Sequence, residues 1–240
     1  MWKSYNRCMK SPLDALLDDI SACPGSIVVF DLDDTLFSTA DRHLRILKEF
    51  AAAIQTQDAR AAGVLRGISR EQLMYSVADT AKAHGLDEKL AKDLRGFWFA
   101  RFFKNPYLLE DSIIPGGPEY AAEVIARGGR SFYMTGRDEG MREGTEASLL
   151  RHKFPEPDGK KAALVLKPRF DEPDFEFKIE ALRRIAAEGT VVGSFENEPK
   201  HVNLFIEHFP KGKHFLLETK HSGRPIEPHP ATLRIKDFRR

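Results

Sequence analysis

The chain has 240 residues, enough for one substantial core with or without a small inserted module, while two large independent domains would be a tight fit. Its formal charge of +1 balances 37 Lys and Arg against 36 Asp and Glu, so no global field draws it to nucleic acid or membrane; such a partner would need a local patch. No apolar stretch approaches the roughly 20 residues that span a bilayer. Cys8 and Cys23 are the only cysteines, and the start, Met1 to Arg7, lacks the apolar core of a secretory signal, so a reducing cytoplasm is the expected compartment.

Five short apolar runs read as strands: Ile27 to Phe30, Phe132 to Met134, Ala163 to Leu166, Val191 to Phe195 and Phe215 to Leu217. Helical patterns lie between them, one from Gly117 to Arg127 stopped by Gly128-Gly129, another from Phe177 to Ala187 with Ile179, Leu182 and Ile185 at helical spacing. This alternation predicts an α/β fold, a Rossmann-like parallel sheet flanked by helices on both faces. The interval from about Ser38 to Ile113 breaks the alternation, with helical stretches and no convincing strand, and reads as a helical insertion. Within it, His43 to Ile54 and Glu71 to His84 carry apolar residues at helical intervals, with a loop expected at Gly63 and Gly67. Leu94 to Lys104 holds five aromatics among basic residues. Such a stripe usually packs a core, and it could also stack bases or grip a ring-bearing substrate.

Asp31-Leu32-Asp33-Asp34-Thr35 follows the first strand directly and is the most informative segment. Strand ends are the usual place for chemistry in such a sheet. Two residues apart in an extended segment, Asp31 and Asp33 leave on the same side and can converge on one volume. Two carboxylates there repel unless a cation lies between them, which suits a Mg²⁺ site where one Asp attacks phosphorus and the other handles protons. Three further elements follow in order. Ser131 to Arg137 is a strand closing on Thr135, whose hydroxyl can donate to a phosphate oxygen, and Gly136, which lets the backbone approach closely. Lys178, just before a helix and the next strand, can offset an anionic nucleophile and phosphoryl group; Lys167 competes for that role. Val191 to Pro199 is a strand running into the acidic loop Glu196-Asn197-Glu198, with Glu196 the leading metal ligand and Asn197 and Glu198 second choices.

In this order, Asp31 to Thr35, Thr135, Lys178 and Glu196 resemble the four motifs of the haloacid dehalogenase-like phosphohydrolase superfamily. The resemblance covers residues 26 to 37 and 113 to 220, and the insertion is similar to the family's cap between its first two motifs. It implies a core domain of residues 1–37 and 113–240 and a cap of 38–112. It implies that Asp31 is the nucleophile forming an aspartyl-phosphate and that Asp33 protonates the leaving group and later activates water. Asp31, the backbone carbonyl of Asp33 and Glu196 would hold Mg²⁺, and Thr135, Gly136 and Lys178 the phosphoryl oxygens. The family usually has Asp in the fourth motif, often followed by a second Asp, where this chain has Glu-Asn-Glu. An acid/base Asp two residues after the nucleophile resembles the phosphate-hydrolysing members, which favours a phosphatase acting on a small phosphorylated molecule. A phosphotransferase or mutase is the close alternative, and a nucleic-acid end-processing or binding role a more distant one, disfavoured by the near-neutral charge.

Of the remaining polar residues, Arg137 could contact substrate anions or form a salt bridge at the edge of the site. Lys200, His201 and Asn203 fall on an expected helix, where a solvated face or capping role is expected, and His221-Ser222-Gly223-Arg224 follows the last strand near the open edge. Oligomeric state is not legible in the sequence.

Overall fold

A computed structural model describes residues 10–240; Cys8 and the segment Met1 to Arg7 lie outside the described residues. Helix α1 (Pro12–Ala22) starts with Ser11, whose Oγ accepts from Leu13 N, and with Pro at its first position. It leads into strand β1 (Ile27–Phe30). After β2 (Phe37–Ser38) come the inserted helices α2 (Ala40–Ile54), α3 (Ala59–Gly67), α4 (Val77–Ala83), α5 (Glu88–Phe102) and α6 (Asn105–Leu108). The chain then runs through β3 (Ser112–Ile113), α7 (Gly117–Ala126), β4 (Arg130–Asp138), α8 (Arg142–Arg151), β5 (Ala162–Lys167), α9 (Asp174–Glu188), β6 (Val191–Glu196), α10 (Pro199–His208), β7 (Lys213–Leu217) and β8 (Leu233–Ile235).

Six strands form a parallel sheet in the order β5-β4-β1-β6-β7-β8. This is the Rossmann-like α/β class read from the alternation of strands and helices. β1 shows why the sheet is covered on both sides. Val28 and Phe30 join the cluster under α1 and α7, while Ile27 and Val29 join the one under α9 with Phe132 and Leu182. From β1 the chain builds outward in both directions, through β4 to β5 and through β6 to β8. The crevice above the C-terminal ends of β4, β1 and β6 is therefore the switch point where such sheets bind ligands.

The inserted helices gather around an apolar cluster of their own, including Leu47, Phe50, Leu65, Ala91 and Leu94. Three local expectations are corrected here. Gly63 and Gly67 lie inside α3 and form no loop: Asp58 caps the helix by accepting from Ala61 N at 2.8 Å, Ala61, Ala62 and Leu65 face inward, and a Cβ at either glycine would meet nothing. The helix expected from Glu71 starts only at Val77, because Ser76 caps α4 and Thr80 Oγ1 accepts from Met74 N, turning the preceding residues back on the helix. The ends of the insertion also carry a strand pair: β2 and β3 run antiparallel, Phe37 opposite Ile113 and Ser38 opposite Ser112, which brings both connections to one place.

Candidate active site

Asp31 extends β1 by one bond, its N–H donating to Phe195 O at 3.0 Å, and the chain then turns sharply. Leu32 O accepts from the N–H groups of Thr35, Leu36 and Phe37, and Asp34 takes a left-handed conformation (φ 56°) that Asp tolerates better than most residues. Asp34 Oδ1 accepts from Thr39 N at 3.0 Å, which ties this turn to the start of α2. The result is a rigid elbow with Asp31 and Asp33 on the wall of one cavity.

Lys178, in the first turns of α9, is buried between two carboxylates, donating to Asp31 Oδ1 at 2.9 Å and to Glu196 Oε2 at 2.6 Å. Burial disfavours charge on all three groups, and they resolve it differently. Asp31 is raised to about 8, first by burial and then by the Glu196 carboxylate, with Lys178 offsetting only part. For Glu196 burial acts in the same sense, but Lys178 and His201 outweigh it and hold the carboxyl below its usual range. Lys178 is held cationic by the two carboxylates against the cost of its own burial. Lys167, the competing lysine, points elsewhere and donates to Asp174 Oδ1 at 2.8 Å.

Thr135 is buried in the last part of β4, its Oγ1 accepting from Arg137 N at 3.3 Å. Gly136 beside it lines the cavity, and a Cβ there would press on the Asp174 carboxylate, 3.0 Å from Oδ2. In the acidic loop, Glu196 Oε1 accepts from the N–H groups of Asn197 and Glu198, both at 3.1 Å. Asn197 Oδ1 accepts from Thr35 Oγ1 at 3.4 Å, and Glu198 is taken up by Ser222, whose N and Oγ donate at 2.5 and 2.8 Å. His201 lines the cavity, with Nδ1 3.7 Å from Glu196 Oε2. Lys200 instead lies over the Phe175 ring, and Asn203 bridges Glu227 and His229.

The ion pairs around Asp33 join residues that no local pattern connects. Arg137 donates to Asp33 Oδ1 through Nε at 3.1 Å and Nη2 at 2.5 Å, and through Nη2 to Asp111 Oδ2 at 2.8 Å. Arg42, fully buried on α2, donates to Asp33 Oδ1 at 3.2 Å and pairs through Nε and Nη2 with Asp111. Burial pushes the Asp33 carboxyl up, yet Arg137 and Arg42 together outweigh it and hold Asp33 well below the usual carboxylate range. Arg137 forms the expected salt bridge and also lines the cavity. Arg42 and Asp111 were missed from sequence; the available signal was an Arg four residues before Ile46 and eight before Phe50, on the apolar stripe of α2.

The cavity above these groups measures about 310 Å³. Part of its wall comes from the insertion: His43, Trp98, Phe102 and Phe103, together with Leu73, Met74 and Tyr75. The aromatic segment thus divides, because Phe97 packs on Phe50 at 5.2 Å and Phe99 reaches Phe170 at 5.6 Å.

Neither a protein-family model nor a curated protein matches the sequence. Solved structures do. A candidate phosphatase of Clostridium difficile superimposes with a TM-score of 0.55 at 13% identity, over 88% of this chain and 94% of that one. A haloacid dehalogenase-like family hydrolase of Streptococcus pneumoniae gives 0.51 at 11% identity over the same shares, 88% and 94%. A haloacid dehalogenase-superfamily hydrolase of subfamily IA from Geobacter sulfurreducens gives 0.50 at 13% identity over 90% and 93%. The fold is haloacid dehalogenase-like.

A hard divalent cation fits the donors of this site by type. The buried trio Asp31, Glu196 and Lys178 carries a net negative charge when all three are ionised, and Asp31 Oδ2 takes no hydrogen bond from a described residue. No three His, Cys, Asp or Glu side chains converge on a metal position among the described residues. Mg²⁺ does not require that, since it is commonly held by one or two carboxylates with several waters retained.

Proposed function

We propose that the protein is a Mg²⁺-dependent phosphatase that hydrolyses a small phosphomonoester through an aspartyl-phosphate on Asp31. The observation that carries this reading is the shared cavity of Asp31, Asp33, Thr135, Gly136 and Lys178 at the switch point of the sheet. Asp31, the Asp33 carbonyl and Glu196 would hold the metal, with Asn197 and Glu198 as further candidates, and the metal would neutralise charge on the phosphoryl oxygens. Both Glu196 oxygens already have partners, so a metal there either shares them or is reached through water.

In the first half-reaction an Asp31 oxygen attacks phosphorus and the bond from phosphorus to the leaving oxygen breaks. That oxygen takes a proton from Asp33; because Arg137 and Arg42 hold this carboxyl ionised here, Asp33 acts as the acid on this reading only after those contacts lengthen and it has taken up a proton. In the second, water gives a proton to the Asp33 carboxylate and attacks phosphorus, and the bond to Asp31 breaks. Inorganic phosphate leaves and both carboxyls return to their starting states. Thr135 Oγ1 and Lys178 Nζ hold the phosphoryl oxygens throughout, a positioned electrostatic contribution rather than a proton transfer.

The helices from α2 to α6, residues 38–112, act on this reading as a cap over a core of 1–37 and 113–240. Arg42 makes the cap part of the acid/base machinery, because any movement that lengthens its contact to Asp33 raises the proton affinity of that carboxyl. A cavity of about 310 Å³ suits a small molecule better than an oligonucleotide end. We place the enzyme in the cytoplasm, since two cysteines in 240 residues make no disulfide scaffold; no helix among the described residues is long and apolar enough to cross a membrane.

Purified protein with 4-nitrophenyl phosphate and Mg²⁺ tests the reading. Turnover that disappears on chelation and in Asp31→Asn is expected; no turnover, or turnover unchanged in Asp31→Asn, would overturn it.

A further inference from the structure

The part of the cavity lining supplied by the inserted helices differs in chemistry from the part supplied by the core, although Arg42, which touches Asp33, lies 4.3 Å over the Phe102 ring. His43 and Trp98 stack with ring centroids 5.7 Å apart and planes within 8°, and Phe102 packs against both at 4.8 and 4.5 Å. Phe103 closes on Trp98 edge-on at 5.6 Å. Met74 and Tyr75 are 48% and 60% exposed, large side chains left in water at the side of the same cavity.

Polar atoms on this wall are few and their states are set. Trp98 Nε1–H donates to His43 Nδ1 at 3.1 Å, so the imidazole proton sits on Nε2, which makes no hydrogen bond to a described residue. Burial and the neighbouring Arg42 push the His43 pKa down to about 3, so the ring is neutral at working pH. On the core side, Asp174, Glu198 and Lys220 also line the cavity and are engaged by Lys167, Ser222 and Arg70 O, while His201 Nδ1 there is buried without a hydrogen-bond partner among the described residues. A sugar phosphate would bring several hydroxyls to a wall with little to pair them, at about 1–3 kcal/mol for each left buried and unsatisfied. A flat ring would meet aromatic faces and edges in the offset and edge-on arrangements that such rings prefer.

We infer that the substrate is a phosphomonoester whose leaving group carries a planar aromatic ring, seated against the His43, Trp98 and Phe102 wall of the inserted helices. This rests on the phosphatase reading for the phosphate end and adds the class of the leaving group. The wall works as a specificity element: ring burial there contributes to binding the substrate and positions its phosphate over Asp31.

Calorimetric titration of the full chain in Mg²⁺ with two non-hydrolysable probes, phenylphosphonate and methylphosphonate, tests it without needing turnover. Phenylphosphonate is expected to bind at least about 10-fold more tightly. In Trp98→Leu, which keeps an apolar side chain but removes the flat face, that advantage should fall below about 3-fold while methylphosphonate affinity is unchanged. Tyr75→Ala, at an exposed position where packing is not at stake, should reduce it as well. Equal affinity for the two probes, or an advantage unchanged in both variants, overturns the inference and leaves the phosphatase reading standing. Binding of neither probe overturns the phosphate site itself, and the inference with it.

Discussion

Arg42 Nη2 lies 3.2 Å from Asp33 Oδ1, so a residue of the inserted helices touches the carboxyl proposed to move protons at the end of β1. The same guanidinium is buried and paired with Asp111, and Arg137 completes the group. Removing the Arg42 charge takes away stabilisation of the ionised carboxylate, so the Asp33 pKa must rise. Arg42→Met is expected to move the pH profile of kcat/KM toward alkaline pH by about 1 unit, measured on an aryl phosphate. It should also cost about 3–5 kcal/mol in urea unfolding, because Asp111 loses a buried partner. An unmoved profile would show that Arg42 does not set the proton affinity of Asp33.

Asp31 gives a pH dependence of the opposite sense. Its folded pKa, about 8, is above the 3.8 of the ordinary group, so the folded state binds the extra proton. Without metal, stability therefore falls as pH rises between those two values. Asp31→Asn removes the ionisation, and metal-free Asp31→Asn should be more stable than wild type at pH 8 by about 1 kcal/mol or more, with the difference gone near pH 4. Mg²⁺ should raise the Tm of the wild type, by mass action on the folded state, and leave that of Asp31→Asn nearly unchanged. Thermal melts at the two pH values, with and without Mg²⁺, check both statements.

Much of this was legible because the residues concerned sit where sequence patterns are strongest. Ile27 to Phe30 and Val191 to Phe195 are buried strands, and a carboxylate placed straight after each must end up at the same edge of a parallel sheet. Lys178 was legible by its closeness to the start of the helix that feeds β6, although that helix begins at Asp174 and holds Lys178 in its first turns, a correction to the expected position just before it. β8 was not, since Leu233–Ile235 is a three-residue edge strand with Arg234 exposed between its two apolar positions. Gly63 and Gly67 misled because a helix cap and an alanine-rich inward face outweigh the modest cost of outward glycines. The contact of Arg42 with Asp111 spans 69 residues and lies beside the pairing of β2 with β3. No periodicity carries that information.

Lys178→Met should abolish the buried cation between Asp31 and Glu196. Loss of at least about 100-fold in kcat is expected, with the folded state weakened more at pH 8 than at pH 5, where the carboxylates can protonate. Steady-state kinetics paired with urea unfolding at the two pH values separate the two effects.

The joint between insertion and core makes a packing prediction. A Cβ on Gly144 of α8 would lie 2.7 Å from Asn105 O and 2.8 Å from Asn105 Cα, at the start of α6. Neither contact can move without the backbone, so Gly144→Ala should destabilise the protein by about 1–3 kcal/mol in urea unfolding.

The most direct test of the mechanism is chemical. Protein quenched in acid during turnover of an aryl phosphate with Mg²⁺, then reduced with borohydride, converts an aspartyl-phosphate to homoserine at the residue that carried it. Peptide mass mapping should find homoserine at position 31, only when substrate was present. Turnover without any modification of Asp31, or homoserine at another aspartate, would contradict the assignment of Asp31 as nucleophile.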